Sequence, residues 1–529
     1  MTRIMFVNSP ILLHEPARHI PYGIGILSSL ACRSGFEVGI LDANAFRLNR
    51  ELIRRYLKSE ASEKPIDLIG ISGLVTTYGF QKEIIPWIRK DLPNTLIVAG
   101  GGCASSVPRE MLEWVPELDM VCIGEGEKTF IDILKHLEDR DFGTVEGIYY
   151  KADLLDWPGT HHKHHKKSER SIRQMMAARA RGEVEIIENP LRPLMTEKEL
   201  NGLPYPAWNL LPMEEVYFPN SPLELSDEAL QCKRRIDVIS ERGCLYQCTF
   251  CHHNYMGGDL MPDGTRLEPS VRWQSARYVV DMIKYARIKM AIDFVSFLDE
   301  NFLANKQRAL EICHLLEEEE LVGVVKWGCL GGPQTIDAEL LSRLKETGCT
   351  YISYGFESAN KHRLKEIRKP HTVNQMQKAL EMTIKAGITP ITAFMVGYAG
   401  ETFESIYDTV KFWVRNGIQC APFFITPYPS TELFEKNKEK ILSQYDGDYQ
   451  KFVEALGDPY KYIVNLTSFS VPEILGLRDL MVTHDLKRIR EYAKSQGVEI
   501  KDEETTPVPR ELEPTNFGEG PIGDLERRS

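Results

Sequence analysis

The strongest constraint on this 529-residue chain is that short β-rich runs alternate with amphipathic helices in two separate stretches, with a proline-punctuated segment between them. Parallel strands cannot be joined by a tight hairpin and need a helical crossover, so this alternation specifies α/β architecture built on parallel sheets. Residues 1–150 carry runs at 3–8, 36–41, 67–72, 95–99 and 119–123 that read as strands. Helical patterns lie between and after them, for example at 22–34, 80–90 and 128–137. This predicts a doubly wound, Rossmann-like domain, in which ligands bind outside the carboxyl ends of the strands. Those ends carry Gly73, Thr76 and Thr77, then Gly100, Gly101 and Gly102, then Gly124, Glu125, Gly126 and Glu127. Glycine there allows the backbone to approach a ligand closely. Neither glycine cluster matches G-x-G-x-x-G, so a dinucleotide site is a weak alternative.

The alternation resumes over residues 231–433. Strands are expected at 236–240, 292–298, 324–329, 350–355, 389–396 and 419–426, with helices in the gaps. Six βα units are too few to close an eight-unit barrel, so an open, partial (βα)6 barrel is expected, with its chemistry at the carboxyl ends of the strands. Residues 151–230 read as a linker. They contain the run His161–Lys167 and prolines at 190, 193, 204, 206, 212, 219 and 222. Residues 434–497 read as a helical region, with helices at 450–455 and 472–494. The acid-, proline- and glycine-rich residues 498–529 read as a disordered tail.

A net charge of −12 argues against a protein that coats nucleic acid, and no nucleic-acid partner is expected. No apolar run reaches the ~18–20 residues of a membrane span. The first residues lack the regions of a signal peptide, so a cytoplasmic protein with reduced thiols is expected. Most of the 11 cysteines are scattered as small core residues. Three are not: Cys244, Cys248 and Cys251 form a C-x3-C-x2-C array just after the first expected barrel strand. Three thiolates within eight residues suit three corners of a 4Fe–4S cluster, leaving one iron open to a chelating substrate. A zinc site would need a fourth ligand, for which His252 or His253 is at hand. Cys248–His252 also matches C-x2-C-H, the c-type haem signature, but that attachment occurs outside the cytoplasm.

The array, with Phe250 before its last cysteine, resembles that of the radical S-adenosylmethionine (SAM) superfamily. Further strings agree with it. They are Ser240-Glu241-Arg242-Gly243-Cys244, Phe297-Leu298-Asp299-Glu300-Asn301-Phe302 and Gly355-Phe356-Glu357-Ser358, followed by Gly397-Tyr398-Ala399-Gly400-Glu401-Thr402 and Pro427-Tyr428-Pro429-Ser430-Thr431. With Pro21-Tyr22-Gly23, Leu41-Asp42-Ala43 and the N-terminal glycine clusters, the chain over roughly residues 1–470 resembles the cobalamin-binding radical SAM family, called class B when its members methylate. Two strings depart from the family pattern. Ala399 stands where Gly-x-Pro-Gly-Glu-Thr has proline, and Ser430 stands where Pro-Gly-Thr has glycine. The cobalt-ligating Asp-x-His-x-x-Gly of methionine-synthase-type domains is absent from the sequence.

The resemblance implies a cluster on the three cysteines, SAM chelated to its open iron, and a 5′-deoxyadenosyl radical formed by electron transfer from the cluster. It implies Phe250 beside the adenine, Asp299 or Glu300 on the SAM ammonium, and Glu357 on the ribose or ammonium. Helix capping is the plain alternative for these acids. It places cobalamin at Gly73, Thr76, Tyr78, Gly101, Gly102, Gly124, Glu125 and Gly126, without a histidine on cobalt. Tyr78, the bulkiest residue of the loop after the third strand, is a candidate to cover the lower face, with packing against the next helix as the plain alternative. The implied activity is a cobalamin-dependent methyltransferase: one SAM forms methylcobalamin and another activates a carbon or phosphorus centre. A non-methylating cyclase or ring-rearranging enzyme, or a cluster- or corrin-carrying sensor, is the alternative. Implied partners are a small-molecule, lipid or peptide substrate and an electron donor such as flavodoxin or ferredoxin.

Overall fold

The computed structural model describes residues 2–11, 16–156, 172–220, 226–252, 270–457 and 461–500. The His161–Lys167 run, His253 and the tail from residue 501 lie outside the described residues. No helix among the described residues is long and apolar enough to cross a membrane.

The expected strands of the N-terminal domain are present as β1 (Arg3–Asn8), β2 (Glu37–Asp42), β3 (Leu68–Ser72), β4 (Leu96–Gly100) and β5 (Met120–Cys122), all parallel. Ile4, Val7, Leu68, Ile69, Leu96, Ile97 and Val121 are all fully buried, because helices cover both faces of the sheet. That two-sided burial is why these strands read as continuous apolar runs instead of alternating ones.

The sheet continues beyond the expected boundary. β6 (Ile148–Lys151) pairs antiparallel with β5, and β7 (Ile186–Glu188) pairs antiparallel with β6, giving the order β2-β1-β3-β4-β5-β6-β7. Residues 151–230 are therefore more than a linker. The helix Ile172–Ala180 returns Arg179 to Asp119 at 2.8 Å and to Asp153 at 2.7 Å. Met195, Trp208, Leu211, Met213 and Tyr217 then enter the barrel core. The prolines set the turns of this segment, but the apolar side chains between them share one buried face.

The second sheet begins with β8 (Arg235–Val238), followed by a small antiparallel ribbon of β9 (Glu241–Arg242) and β10 (Arg272–Trp273). β11 (Phe294–Phe297), β12 (Lys326–Leu330), β13 (Cys349–Glu357), β14 (Thr389–Val396) and β15 (Phe423–Phe424) complete an open six-stranded parallel sheet, in the order β15-β14-β13-β12-β11-β8. Its crossover helices start at side-chain caps. Ser275 and Asp337 each accept a first-turn N–H, and Thr372 and Thr402 form capping boxes. Caps of this kind contribute ~1 kcal/mol each. The expected helix at 472–494 is two helices, Val471–Val482 and Leu486–Ser495. The chain turns between them at His484, with φ of 56°.

The two sheets meet carboxyl end to carboxyl end. After β1, the Ile20 N–H donates to Asp237 Oδ2 on β8 at 3.1 Å. After β4, the Ser106 carbonyl accepts from Ser430, which follows β15, at 3.1 Å. After β5, Glu125 accepts from Arg272 at 2.7 Å. The helices Glu432–Ser443 and Tyr449–Ala455 close one side, burying Phe434, Phe452 and Val453 in one core with Ile84, Ile85 and Leu112 of the N-terminal domain.

Away from this junction, Asp119 is buried between the guanidiniums of Arg89 and Arg179. Lys151 is buried nearby, and its Nζ donates to the carbonyls of Val115 at 3.2 Å and Pro116 at 2.7 Å. Burial, aided by the Arg179 charge, pulls the Lys151 ammonium down to about 7. Between that value and the ordinary lysine range, the unfolded chain binds a proton that the folded chain lacks. Stability therefore rises with pH, by up to ~1.4 kcal/mol per pH unit. Urea unfolding between pH 7 and 10 should show this rise in the wild-type protein and lose it in Lys151→Met.

Candidate functional site

The cysteine loop leaves β9 through Gly243, at φ of 88°. Its backbone is held from two sides: Thr249 N–H donates to Ile367 O at 3.2 Å, and Leu433 N–H donates to Thr249 O at 2.8 Å. Cys244, Cys248 and Cys251 are half-buried and form no disulfide. Burial pushes the Cys244 thiol up to about 11, with the charges of Glu300 and Cys248 adding to the rise. Cys248 and Cys251 are raised by burial in the same way, and the other cysteines raise Cys251 further. Burial disfavours the bare thiolates, and binding to an iron–sulfur cluster is one way to hold the sulfurs deprotonated there. Of the histidines that could complete a zinc site, His253 lies outside the described residues.

Asp299 and Glu300, adjacent in sequence, diverge. Asp299 is buried and accepts from the Ser240 N–H, the Ser240 hydroxyl and the Glu241 N–H. Its carboxylate ties the end of β11 to the segment leading into the cysteine loop, so it does not face SAM as expected. Glu300 is exposed and lies on the cysteine side, where its charge acts on Cys244 and Cys251.

Glu357 ends β13 with φ of 65°, at a slip in register against β14. A non-glycine residue held there stores ~1–3 kcal/mol of strain, a feature that gathers at functional sites. Its Oε1 lies 3.3 Å from Lys369 Nζ. A Cβ on Gly355 would come within 2.7 Å of the same oxygen, so the glycine makes room for the carboxylate. Burial opposes the Lys369 charge, but Glu357 and then Cys248 outweigh it and keep the ammonium above its ordinary range. Lys369 had no motif to announce it, since it reaches the site from a turn 12 residues past Glu357.

Phe250 packs edge-on against Tyr398, with ring centroids 6.5 Å apart, and against the core shared with the N-terminal domain. The Tyr398 hydroxyl is buried without a hydrogen-bond partner. Both family departures leave the loops closed. Glu401 accepts from the Gly397 N–H at 3.0 Å, and Arg363 donates to the Gly400 carbonyl. Ser430 takes the glycine-like φ of 67° while donating to Ser106.

On the N-terminal sheet, Gly73 and Gly101 serve close packing between neighbouring loops. A Cβ on Gly73 would meet Thr77 Oγ1 at 2.2 Å, and Gly101 has φ of 80°. Gly102 and Gly126 open the helices Gly102–Ser106 and Gly126–Lys135, and the Gly124 N–H donates to Ser105 Oγ at 3.0 Å. Thr76 Oγ1, Ser9 Oγ and Gln81 Oε1 are buried without hydrogen-bond partners. Unsatisfied polar atoms at strand carboxyl ends fit a ligand rimmed with amides, as cobalamin is.

Two expected cobalamin contacts lie elsewhere. Tyr78 is 0% exposed, stacked edge-on against Trp114, and its hydroxyl accepts from Gln450 at 2.8 Å. Gln450 sits on the expected C-terminal helix, here Tyr449–Ala455, which only the tertiary fold brings to that side chain. Leu74, 48% exposed, is the apolar side chain of the same loop on the open side. Glu125 is buried and takes Arg272 at 2.7 Å and the Met195 N–H at 2.7 Å, so it joins domains and offers a ligand no free carboxylate. Glu127 is buried against Arg242. Burial opposes its charge, but the guanidinium outweighs burial and holds its carboxyl below the usual range.

A doubly wound domain set over an open βα half-barrel, with three cysteines at the exit of the first barrel strand, defines a two-domain radical enzyme class. A family model described as the B12 binding domain matches residues 9–134, and one described as the radical SAM superfamily matches residues 238–412. The chain belongs to the cobalamin-binding radical SAM family, whose cofactors are a 4Fe–4S cluster, SAM and cobalamin. It is 26% identical over 420 residues to an uncharacterized methyltransferase of Pyrococcus horikoshii, covering 78% of each chain. It is 22% identical over 443 residues to the anaerobic magnesium-protoporphyrin IX monomethyl ester cyclase of Cereibacter sphaeroides, covering 83% of this chain and 63% of that one. Among solved structures, the radical SAM methyltransferase TsrM of Kitasatospora setae, with tryptophan and a SAM analogue bound, shares the fold. The TM-score is 0.61 at 17% identity, covering 84% of this chain and 77% of that one.

Two variants test the site. Replacing Cys244, Cys248 and Cys251 together by alanine should abolish the ~400 nm absorbance and the reduced-cluster paramagnetic signal of a reconstituted 4Fe–4S centre. Tyr78→Phe should lower stability by only ~1 kcal/mol, the worth of one hydrogen bond, and leave the cobalamin spectrum unchanged.

Proposed function

We propose that this protein is a methyltransferase that moves a methyl group from SAM to an unactivated carbon or phosphorus centre of a small-molecule, lipid or peptide substrate. The observation carrying this reading is the apposition of the two sheets at their carboxyl ends. It sets the loops of the corrinoid domain opposite the cysteine loop, through Glu125 and Arg272 on one side and Ser106 and Ser430 on the other. The cluster with SAM supplies a carbon-centred radical, and the corrinoid supplies a transferable methyl group.

The chain's own residues orient and shield. Cys244, Cys248 and Cys251 hold the cluster. Glu357, fixed by Lys369 at 3.3 Å, offers a carboxylate oxygen to the SAM ribose or ammonium, and Glu300 a second carboxylate from the β11 side. Asp299 positions the cysteine loop from behind. Leu74 excludes water beneath the corrin, the task for which Tyr78 is the candidate by sequence.

Similarity to the Pyrococcus methyltransferase over 78% of both chains supports methylation. Similarity to the cyclase keeps a non-methylating radical reaction as the second reading. A single-turnover assay separates the two without knowledge of the substrate. Reduced holoprotein given SAM under anaerobic conditions should release about one S-adenosylhomocysteine per bound cobalamin. Release of 5′-deoxyadenosine with no S-adenosylhomocysteine would favour the second reading.

A further inference from the structure

β9 is two residues long, and the alternation of a strand sends its two side chains to different domains. Glu241 turns into the barrel, where it accepts from the Asn301 N–H at 2.6 Å and from Trp273 Nε1 at 3.2 Å. Arg242 turns to the N-terminal domain. One of its amino groups donates to Glu127 Oε1, and the other lies 3.5 Å from Glu127 Oε2 and 3.6 Å from Glu125 Oε1. Its cross-strand neighbour Arg272 donates to Glu125 at 2.7 Å and to the Met195 carbonyl at 2.9 Å. The side chains of Glu125 and Glu127 are 4% and 7% exposed, and those of Arg242 and Arg272 are 16% and 12% exposed. Two charges of each sign thus cancel in a site withdrawn from water, where the loss of one partner strands the other.

Position gives this cluster its meaning. Glu125 and Glu127 sit on the turn that ends β5 and opens the helix Gly126–Lys135, at the ligand end of the corrinoid sheet. Cys244 follows Arg242 across the single residue Gly243. A shift of the β5 turn therefore reaches the first cluster cysteine through one ion pair. Glu241, anchored to the barrel, gives the ribbon a fixed side against which to move.

We propose that the Glu127–Arg242 pair couples cobalamin occupancy of the N-terminal domain to the order of the cluster loop, making both residues positioning residues for the cluster. The proposal rests on Cys244, Cys248 and Cys251 as the cluster ligands. That assignment is checked separately, by iron uptake in the wild-type protein and its loss in the triple alanine variant.

The test uses the full chain with its cluster reconstituted and reduced, without SAM, with and without hydroxocobalamin. An anaerobic ferrous chelator, bathophenanthroline disulfonate, reads the rate of iron release. Cobalamin should slow release by about fivefold or more in the wild-type protein, within the range of ordinary couplings between sites. In Glu127→Gln, cobalamin should still bind, but the ratio of the two release rates should fall to about one. Merely structural loosening would raise both rates and preserve their ratio. An unchanged ratio in Glu127→Gln, or a wild-type protein whose iron release ignores cobalamin, would overturn the proposal. Should Glu127→Gln fail to fold, Arg242→Lys and Arg242→Gln serve instead. The charged variant should keep the cobalamin effect and the neutral one lose it, and equal ratios in the two would count against the coupling.

Discussion

Burying a carboxylate is tolerable only when a matching charge is buried with it, and this molecule places the two halves of such pairs on different sheets. Glu125 and Glu127 follow the last parallel strand of the N-terminal domain, and their partners Arg242 and Arg272 form the ribbon between the first two barrel strands. Separating the domains would strand four charges. The carboxyl ends of both sheets, where parallel α/β proteins keep their chemistry, therefore stay face to face. The hydrogen bonds of Asp237 and Ser430 across the same gap, and the core shared by Phe434, Phe452 and Ile85, depend on that closure and reinforce it.

Two of the strained backbone positions lie where that closure leaves room for ligands. Glu357 and Ser430, both non-glycine residues in left-handed conformations, end the β13 strand and the turn after β15. Each is held by a specific partner, Lys369 for the first and the Ser106 carbonyl for the second. Opposite them, Thr76, Ser9 and Gln81 hold polar atoms that find no partner within the protein.

What could be read in advance divides along physical lines. The parallel strands and the cysteine array were readable because each is carried by local pattern: apolar runs, helix periodicity and a spacing of three residues and then two. The fate of individual acids was not. Asp299 and Glu300 are neighbours with the same chemistry, and only the direction of the strand end sends one into the Ser240 network and the other towards the cysteines. Tyr78 stood open between the corrin and helix packing, and Gln450, 372 residues away, takes its hydroxyl; Glu125 is taken by Arg272, 147 residues distant. β7 escaped notice because it is three residues long and pairs with β6 across an intervening helix, and Lys369 because no motif marks it, although it lies only 12 residues past Glu357.

The central claim is that the corrin lies between the two sheets, over the β3 loop and beneath the barrel mouth. Anomalous diffraction at the cobalt and iron edges, from crystals of the anaerobic holoprotein, tests it most directly. The account predicts one cobalt site at the carboxyl ends of β1, β3 and β4, beside Leu74, and one iron cluster on Cys244, Cys248 and Cys251, both within the same interdomain space. Cobalt on the outer surface of the N-terminal domain, with the junction closed between it and the cluster, would contradict it.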